Sequence, residues 1–258
     1  MTYETIRYEI SEGIARITMA RPSVMNALSS LMRRELLAAV RQAVTEARVL
    51  VLTGEGRGFC AGQDLADALS GPSFDAEAAL IEEYNPLLEA ITSAPIPVIA
   101  AVNGIAAGAG ANIALACDVV IAAESASFMQ AFTKVGLIPD AGGTWTLPRL
   151  VGPAKAMGLQ LFADKVSARE AERMGMIWEA VADEAFAVQV EARAVQLASG
   201  PTGTFARLKQ ALAASGAASL SEQLALEAKL QGECGASEDG REGIRAFVEK
   251  RAPKFQGR

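Results

Sequence analysis

Between residues 95 and 122 the chain sets out one rhythm: a continuous apolar run (PIPVIAAV, 95–102), a turn of glycine and alanine that opens a helix, and a second apolar run (VVIA, 119–122). Apolar runs of this length read as strands buried on both faces, and two of them separated by a helix imply a parallel crossover. Such crossovers are right-handed and bring their loops to one end of the sheet, where ligands bind. The same rhythm begins earlier, with VLVLT (49–53) after an amphipathic helix over 29–47 whose apolar positions are Leu31, Leu36, Leu37, Val40 and Val44. Before that, residues 3–10 and 14–20 nearly alternate apolar with polar around Ser11-Glu12-Gly13, which predicts a β-hairpin.

The glycine-rich turns carry the residues of chemical interest. The run 106–111 (AAGAGA) leaves almost no side chain in the way, so a ligand can approach the backbone closely. The loop 54–65 (GEGRGFCAGQDL) follows a predicted strand, but it lacks the Gly-Lys-Ser/Thr ending of a P-loop and the spacing of a dinucleotide fingerprint. Bare backbone N–H groups also serve to stabilise an oxyanion. At Pro139-Asp140-Ala141-Gly142-Gly143 a lone carboxylate sits among residues suited to backbone geometry, after apolar Val135, Leu137 and Ile138, which marks Asp140 as a candidate catalytic group.

Elsewhere the pattern gives a helix over 75–92, where an interior Pro86 predicts a kink or two shorter helices forming a pocket wall. Short helices over 154–162 and 168–174 and a last strand over 177–181 follow. From residue 184 the signals are helical only (184–198, 202–214, 219–230, 239–250). This shift divides the chain into an α/β core (1–195) and a C-terminal helical region (196–258).

The sequence holds no histidine, so Ser-His, Cys-His and His-metal mechanisms are excluded, and proton transfer falls to carboxylates, Lys, Tyr or Cys. Cys60, Cys117 and Cys234 are odd in number and widely spaced, as reduced buried thiols are, so neither a disulfide framework nor a metal site is expected. A net charge of −6 argues against a nucleic-acid partner. No run of 18 apolar residues occurs, and the first ten residues include Glu4, Arg7 and Glu9. Neither a membrane span nor a signal peptide is expected, which predicts a cytoplasmic protein.

Taken as a set, Arg21-Pro22 with Asn26-Ala27, GRGFCAGQDL (56–65), NGIAAGAGANIALACD (103–118) and GLIPDAGGTWTLPRLVG (136–152) resemble the enoyl-CoA hydratase/isomerase, or crotonase, superfamily over essentially the whole chain. Within it, CAGQDL, YNPL, AAGAGA, IPDAGGTW and GMIW resemble the 1,2-epoxyphenylacetyl-CoA isomerase branch, which acts in phenylacetate degradation. The resemblance implies an α/β crotonase-like spiral of ββα repeats closed by C-terminal helices that build homotrimers or hexamers. It implies an acyl-CoA substrate, with coenzyme A entering as the thioester and no separate cofactor.

By the same resemblance, the backbone N–H groups of Gln63 and Ala109 hold the thioester oxygen as an enolate forms; Ala109 stands where the family commonly has Gly. Val24, Met25, Asn26, Gly62, Asp64 and Leu65 are expected along the coenzyme A, with Lys254 and Phe255 of the tail reaching that of a neighbouring subunit. Tyr84, Asn85, Asn112, Phe132 and Trp145 are expected to shape the acyl pocket. The two glutamates that activate water in the hydratases fall on Asn112 and Phe132, so hydration is disfavoured and Asp140 remains as the base of an isomerase. The alternatives are a Δ3-Δ2-enoyl-CoA or dienoyl-CoA isomerase, a hydratase, a dehalogenase-like enzyme using Asp140 as nucleophile, and a non-catalytic acyl-CoA-binding subunit.

Overall fold

The predicted hairpin opens the chain: β1 (Ile6–Ser11) and β2 (Ile14–Met19) pair antiparallel with Tyr8 opposite Ile17. The computed structural model describes residues 3–68 and 75–258. After a 3₁₀ turn, Pro22–Val24, comes α1 (Ser30–Glu46), capped by Ser29, whose side chain accepts from the Met32 N–H. There follow β3 (Val49–Gly54), β4 (Gly58–Cys60), α2 (Leu65–Ala68), α3 (Ala76–Ala79), a π-turn (Leu80–Tyr84), α4 (Asn85–Thr92), β5 (Val98–Val102), β6 (Ile105–Ala107) and α5 (Ala109–Leu115). Next are β7 (Val119–Ala123), β8 (Ser127–Met129), a 3₁₀ turn (Ala131–Val135), α6 (Gly143–Phe162), β9 (Val166–Ser167), α7 (Ala168–Arg173) and β10 (Glu179–Val181). The chain closes with α8 (Asp183–Ala198), α9 (Thr202–Ser215), α10 (Leu220–Ala236) and α11 (Glu238–Val248).

The larger sheet runs β1-β2-β3-β5-β7-β10 and is parallel beyond the hairpin; the smaller runs β4-β6-β8-β9. Each turn of the spiral therefore gives one strand to the large sheet and the next to the small one: β3 then β4, β5 then β6, β7 then β8. The register explains the continuous apolar runs. Ile17, Leu52, Ala100 and Val120 align across four strands and face the main core with Leu36 and Val40 of α1. Their neighbours Val51, Ile99, Ala101 and Ile121 face the opposite side, where Val190, Ala194 and Ala198 of α8 cover them. Both faces are buried, as the strand pattern requires.

Three features sharpen the sequence expectation. The strands of the smaller sheet are two or three residues long, too short to show a period. The interruption expected from Pro86 is present: α3 and α4 are two short helices joined by the π-turn, in which the Asn85 N–H reaches the Leu80 carbonyl, and Pro86 falls in the first turn of α4. The helix expected over 154–162 is present, starting after Gly152, whose φ of 78° and ψ of 161° are not helical. A further helical stretch from Gly143, which the sequence pattern did not show, precedes it, so that α6 is two helices across a kink, with Pro148 and Pro153 on either side.

A division after residue 195 cuts α8 three residues before its end, inside the face that packs on the sheet. The structure passes to unsheeted helices after Ala198. The tail folds back on its own chain: the Lys254 N–H donates to Glu242 (2.9 Å), and Asp239 accepts from the N–H groups of Gln256 and Gly257 (2.6 and 2.7 Å). Arg48 donates to the carbonyl of Phe255 (3.2 Å). Among the described residues no helix is long and apolar enough to cross a membrane.

Candidate active site

Three turns of the spiral meet around one cavity. The loop after β4 contributes Ala61, Gly62 and Gln63, the β6–α5 junction contributes Gly108 and Ala109, and the segment after β8 contributes Phe132, Val135, Leu137 and Asp140. The wall over the cavity comes from Ala76, Ala79, Leu80 and Tyr84, one face of the α3–π-turn segment. Asp140 is the only acid among the described lining residues, and most of the others are apolar.

The backbone geometry leaves two N–H groups unused at this cavity. Leu28 forms a parallel bridge with Gln63, donating to the Gly62 carbonyl (2.8 Å) and accepting from the Asp64 N–H (3.2 Å), so the N–H of Gln63 itself points the other way. Ala109 is the first residue of α5, where a backbone N–H has no partner in its helix. Neither N–H bonds to a described residue. The two loops touch: at Gly62 (φ 92°) an added Cβ would lie 2.8 Å from the Ala107 carbonyl oxygen and 3.4 Å from the Ala109 nitrogen. Only glycine fits there. A close pair of free N–H groups, one at a helix N-terminus, suits a developing oxyanion.

Asp140 lines the same cavity, on a turn whose next two residues, Ala141 and Gly142, are both left-handed (φ 46° and 76°). Its backbone carbonyl is fixed twice, by the Gly143 N–H and by Asn112 Nδ2, each at 2.8 Å. Its carboxylate is not: Oδ1 is buried with no hydrogen-bond partner. Burial pushes the Asp140 carboxyl up to about 6, against the opposing pull of its own backbone N–H and of Arg33. A carboxylate held by its main chain, with one oxygen free and its proton affinity raised, is equipped to take and return a proton near neutral pH.

Of the predicted pocket residues, Tyr84 and Phe132 line the cavity; Asn85, Asn112 and Trp145 do not. Asn85 follows Tyr84 on a helix, so when Tyr84 turns inward Asn85 turns out and is exposed. Trp145 is 56% exposed and stacks with Arg149 one turn on. Asn112 is fully buried and serves the Asp140 turn: Nδ2 donates to the Asp140 carbonyl, Oδ1 accepts from Gln130, and the amide packs so tightly on Gly143 that a Cβ there would sit 2.3 Å from Nδ2. Asn112→Asp puts a carboxylate against that carbonyl and should cost about 1–3 kcal/mol of stability, read as a fall in thermal midpoint together with turnover.

Among the residues assigned to coenzyme A, Gly62 and Leu65 line the cavity. Val24 is exposed and Met25 half-buried, and neither lines the cavity. Asn26 is spent on the main chain: its Oδ1 accepts from the Arg21 N–H, and its Nδ2 donates to the carbonyls of Glu55 and Gly58. Asp64 pairs with Arg21 (2.8 Å) and accepts from the N–H groups of Ala66 and Asp67, which fixes the exit from the donor loop.

Sequence reasoning missed Arg33. In an amphipathic helix, Arg33-Arg34 reads as a solvated pair, yet Arg33 is 3% exposed. It donates to Glu83 (2.6 Å), to the Leu28 carbonyl (2.7 Å) and to Gln63 Oε1 (2.9 Å), and its guanidinium lies 4.8 Å from the centre of the Tyr84 ring. Tyr84 in turn donates to the same Gln63 oxygen (2.5 Å). No pattern in the sequence signals a buried guanidinium here.

Comparisons with known proteins agree with this architecture. Residues 9–258 match the enoyl-CoA hydratase/isomerase family. The chain is 62% identical to a Rhodobacter capsulatus protein named "Probable enoyl-CoA hydratase", over the whole of both chains. It is 45% identical to the 1,2-epoxyphenylacetyl-CoA isomerase of Escherichia coli, over 99% of each. Among solved structures, the enoyl-CoA hydratase of Bacillus anthracis superposes with a TM-score of 0.91 at 32% identity, covering 99% of this chain and 100% of that one. The spiral of ββα turns, the helical C-terminus and the match over nearly the full length show that the chain belongs to the enoyl-CoA hydratase/isomerase, or crotonase, family.

Proposed function

We propose that the protein is an acyl-CoA isomerase that uses Asp140 as its general base, with 2-(1,2-epoxy-1,2-dihydrophenyl)acetyl-CoA as the substrate converted to the oxepin. The N–H groups of Gln63 and Ala109 hold the thioester oxygen, which acidifies the neighbouring C–H. Asp140 takes that proton, and the negative charge spreads from the α-carbon into the thioester oxygen. In the epoxide substrate the bond between the two epoxide carbons opens, so that the oxygen, still bonded to both, enters a seven-membered ring, and the proton returns to a ring carbon. In a 3-enoyl-CoA the proton returns at the γ-carbon, the far end of the dienolate. No water is added and no atom is lost in either case.

The observation that carries this reading is that Asp140 stands alone as an acid among the described lining residues. Hydration by the family's two-carboxylate route needs a second acid to hold and activate water, and the lining residue at one of those positions is Phe132, while the other position holds Asn112, bonded to Gln130 and the Asp140 carbonyl. The 45% identity to an epoxyphenylacetyl-CoA isomerase supports the same choice. The rival reading is the hydratase, favoured by the name of the R. capsulatus relative. Incubation with the epoxyphenylacetyl, 3-enoyl and 2-enoyl esters separates the two by mass. Products of unchanged mass from the first two are expected, and rapid addition of water to the third would overturn the proposal.

Val24, Met25, Gly62, Asp64 and Leu65 are proposed to follow the coenzyme A. Residues 196–258 are proposed to form a trimer contact, supported by side chains left uncovered in the single chain, among them Leu220, Ile244, Phe247 and Val248. In that assembly Lys254 and Phe255 would approach the neighbour's coenzyme A as part of a unit with α11, to which the tail is tied.

A further inference from the structure

Arg33 is anchored where three parts of the site converge. It stands in the first turn of α1, Glu83 and Tyr84 stand in the π-turn, and Gln63 stands on the donor loop. Removing a guanidinium from water is costly, and one carboxylate, Glu83, compensates most of the charge; Ser30 and Arg34 bind the other oxygen of that carboxylate. The remaining donor capacity goes to the oxyanion loop from two directions. Nη1 grips the carbonyl of Leu28, the residue whose bridge fixes Gly62 and Asp64 on either side of Gln63, and it also grips the Gln63 side chain. Tyr84 donates to that same side-chain oxygen from the cavity wall. The peptide of Gln63 is thus clamped through its neighbours and through its own side chain.

We propose that Arg33 is a positioning residue for the thioester chemistry: with Tyr84 it locks the Gln63 side chain, and through Leu28 the flanking backbone, so that the Gln63 N–H stays aimed into the cavity. This rests on the reading of Gln63 and Ala109 as the donors to the thioester oxygen. Lysine cannot replace it fully, because a single ammonium lacks the planar fork that reaches Glu83, Leu28 and Gln63 together.

The charge has a second effect. Arg33 is the cation that opposes the rise in the proton affinity of Asp140. The other titratable groups around it are Tyr84 on the π-turn and Cys60 on β4, both kept protonated by burial, the thiol being pushed up to about 12. Glu83 is held ionised: burial opposes this, but Ser30, Arg33 and Arg34 outweigh it. Helix α5 brings no charged side chain. Among the described groups lining the cavity Asp140 is the acid, its carboxyl pushed up to about 6 by burial, and neutralising Arg33 raises its proton affinity further.

The test is exchange of the α-protons of phenylacetyl-CoA in heavy water, which reads enolate formation whatever the final product. The wild-type chain, Arg33→Lys, Arg33→Met and Arg33→Met/Glu83→Gln are compared; the double variant leaves neither charge buried alone and replaces Arg33→Met if that variant fails to fold. Loss of Arg33 should lower the exchange rate constant about 10- to 100-fold, leave the half-saturating thioester concentration within about threefold, and move the acid limb of the rate to higher pH. Arg33→Lys should restore the limb but only part of the rate. A folded double variant with wild-type exchange and an unmoved limb overturns the proposal. Wild-type protein that exchanges nothing overturns the enolate reading itself, and this proposal with it.

Discussion

Asp140→Asn should lower turnover of the epoxyphenylacetyl and 3-enoyl esters by about 10²- to 10⁴-fold, the span usual for loss of a general base, while the KM for either ester changes little. The amide keeps the shape of the side chain, and the turn beneath it is held by main-chain bonds to Gly143 and Asn112 that the substitution does not touch. Only the proton acceptor is lost. In the wild type, kcat/KM should fall on the acid side with a midpoint near pH 6, because burial pushes the carboxyl up to about 6 and its ionised form is the base. That limb should be absent from whatever activity Asp140→Asn retains.

The same variant makes a prediction about stability. Asp140 titrates higher in the folded chain than in the unfolded one, so its contribution to stability is fully present below the unfolded value and is lost as the pH rises through about 6. Above that pH the folded protein carries a buried charge that asparagine removes. Asp140→Asn should therefore melt at or above the wild-type temperature at pH 8, with the advantage shrinking toward pH 4. A lower midpoint at pH 8 would mean that the carboxylate supports the fold, and near-wild-type turnover would remove Asp140 as the base.

Ala109→Pro should cost about 3–4 kcal/mol in transition-state stabilisation, the usual loss for one oxyanion donor, or about 10²- to 10³-fold in kcat. The substitution is severe for chemistry and mild for folding. Proline is at home in the first position of a helix, where its missing N–H has no intrahelical partner to lose. The preceding Gly108 (φ 51°, ψ −129°) lies in a region open to glycine and far from the helical one that proline disfavours in its predecessor. The new ring also projects where the N–H pointed, so affinity for the thioester should fall as well. Circular dichroism and the thermal midpoint should stay close to wild type; retained turnover in a folded variant would show that Ala109 is not a donor.

The frame of the molecule was legible because its large sheet obeys simple periods. Buried parallel strands such as Val49–Gly54 and Val98–Val102 show as unbroken apolar runs, and α1 shows as a stripe of Leu and Val. The small sheet was not legible, since strands such as Gly58–Cys60 and Ile105–Ala107 are shorter than any detectable repeat. At the cavity, the glycine-rich turns and Asp140 stood out through backbone chemistry that local sequence encodes. Arg33, the spent amide of Asn112 and the outward face of Trp145 depend on which elements cross in space, and nothing within a few residues of each records that crossing.

The π-turn at Leu80–Tyr84 gives this part of the chain a sensitivity to length rather than to composition. One residue more than a regular helix would hold lets Ala76, Ala79, Leu80 and Tyr84 share the cavity face while Leu87, Leu88 and Ile91 still reach the core. Deleting a single residue there would rotate everything on one side by about 100°, turning Tyr84 away from Gln63 or α4 away from its packing. Insertions and deletions between residues 80 and 84 should therefore be the least tolerated in the whole helical wall, even where a polar, helix-compatible side chain replaces the exposed Ile81 at little cost.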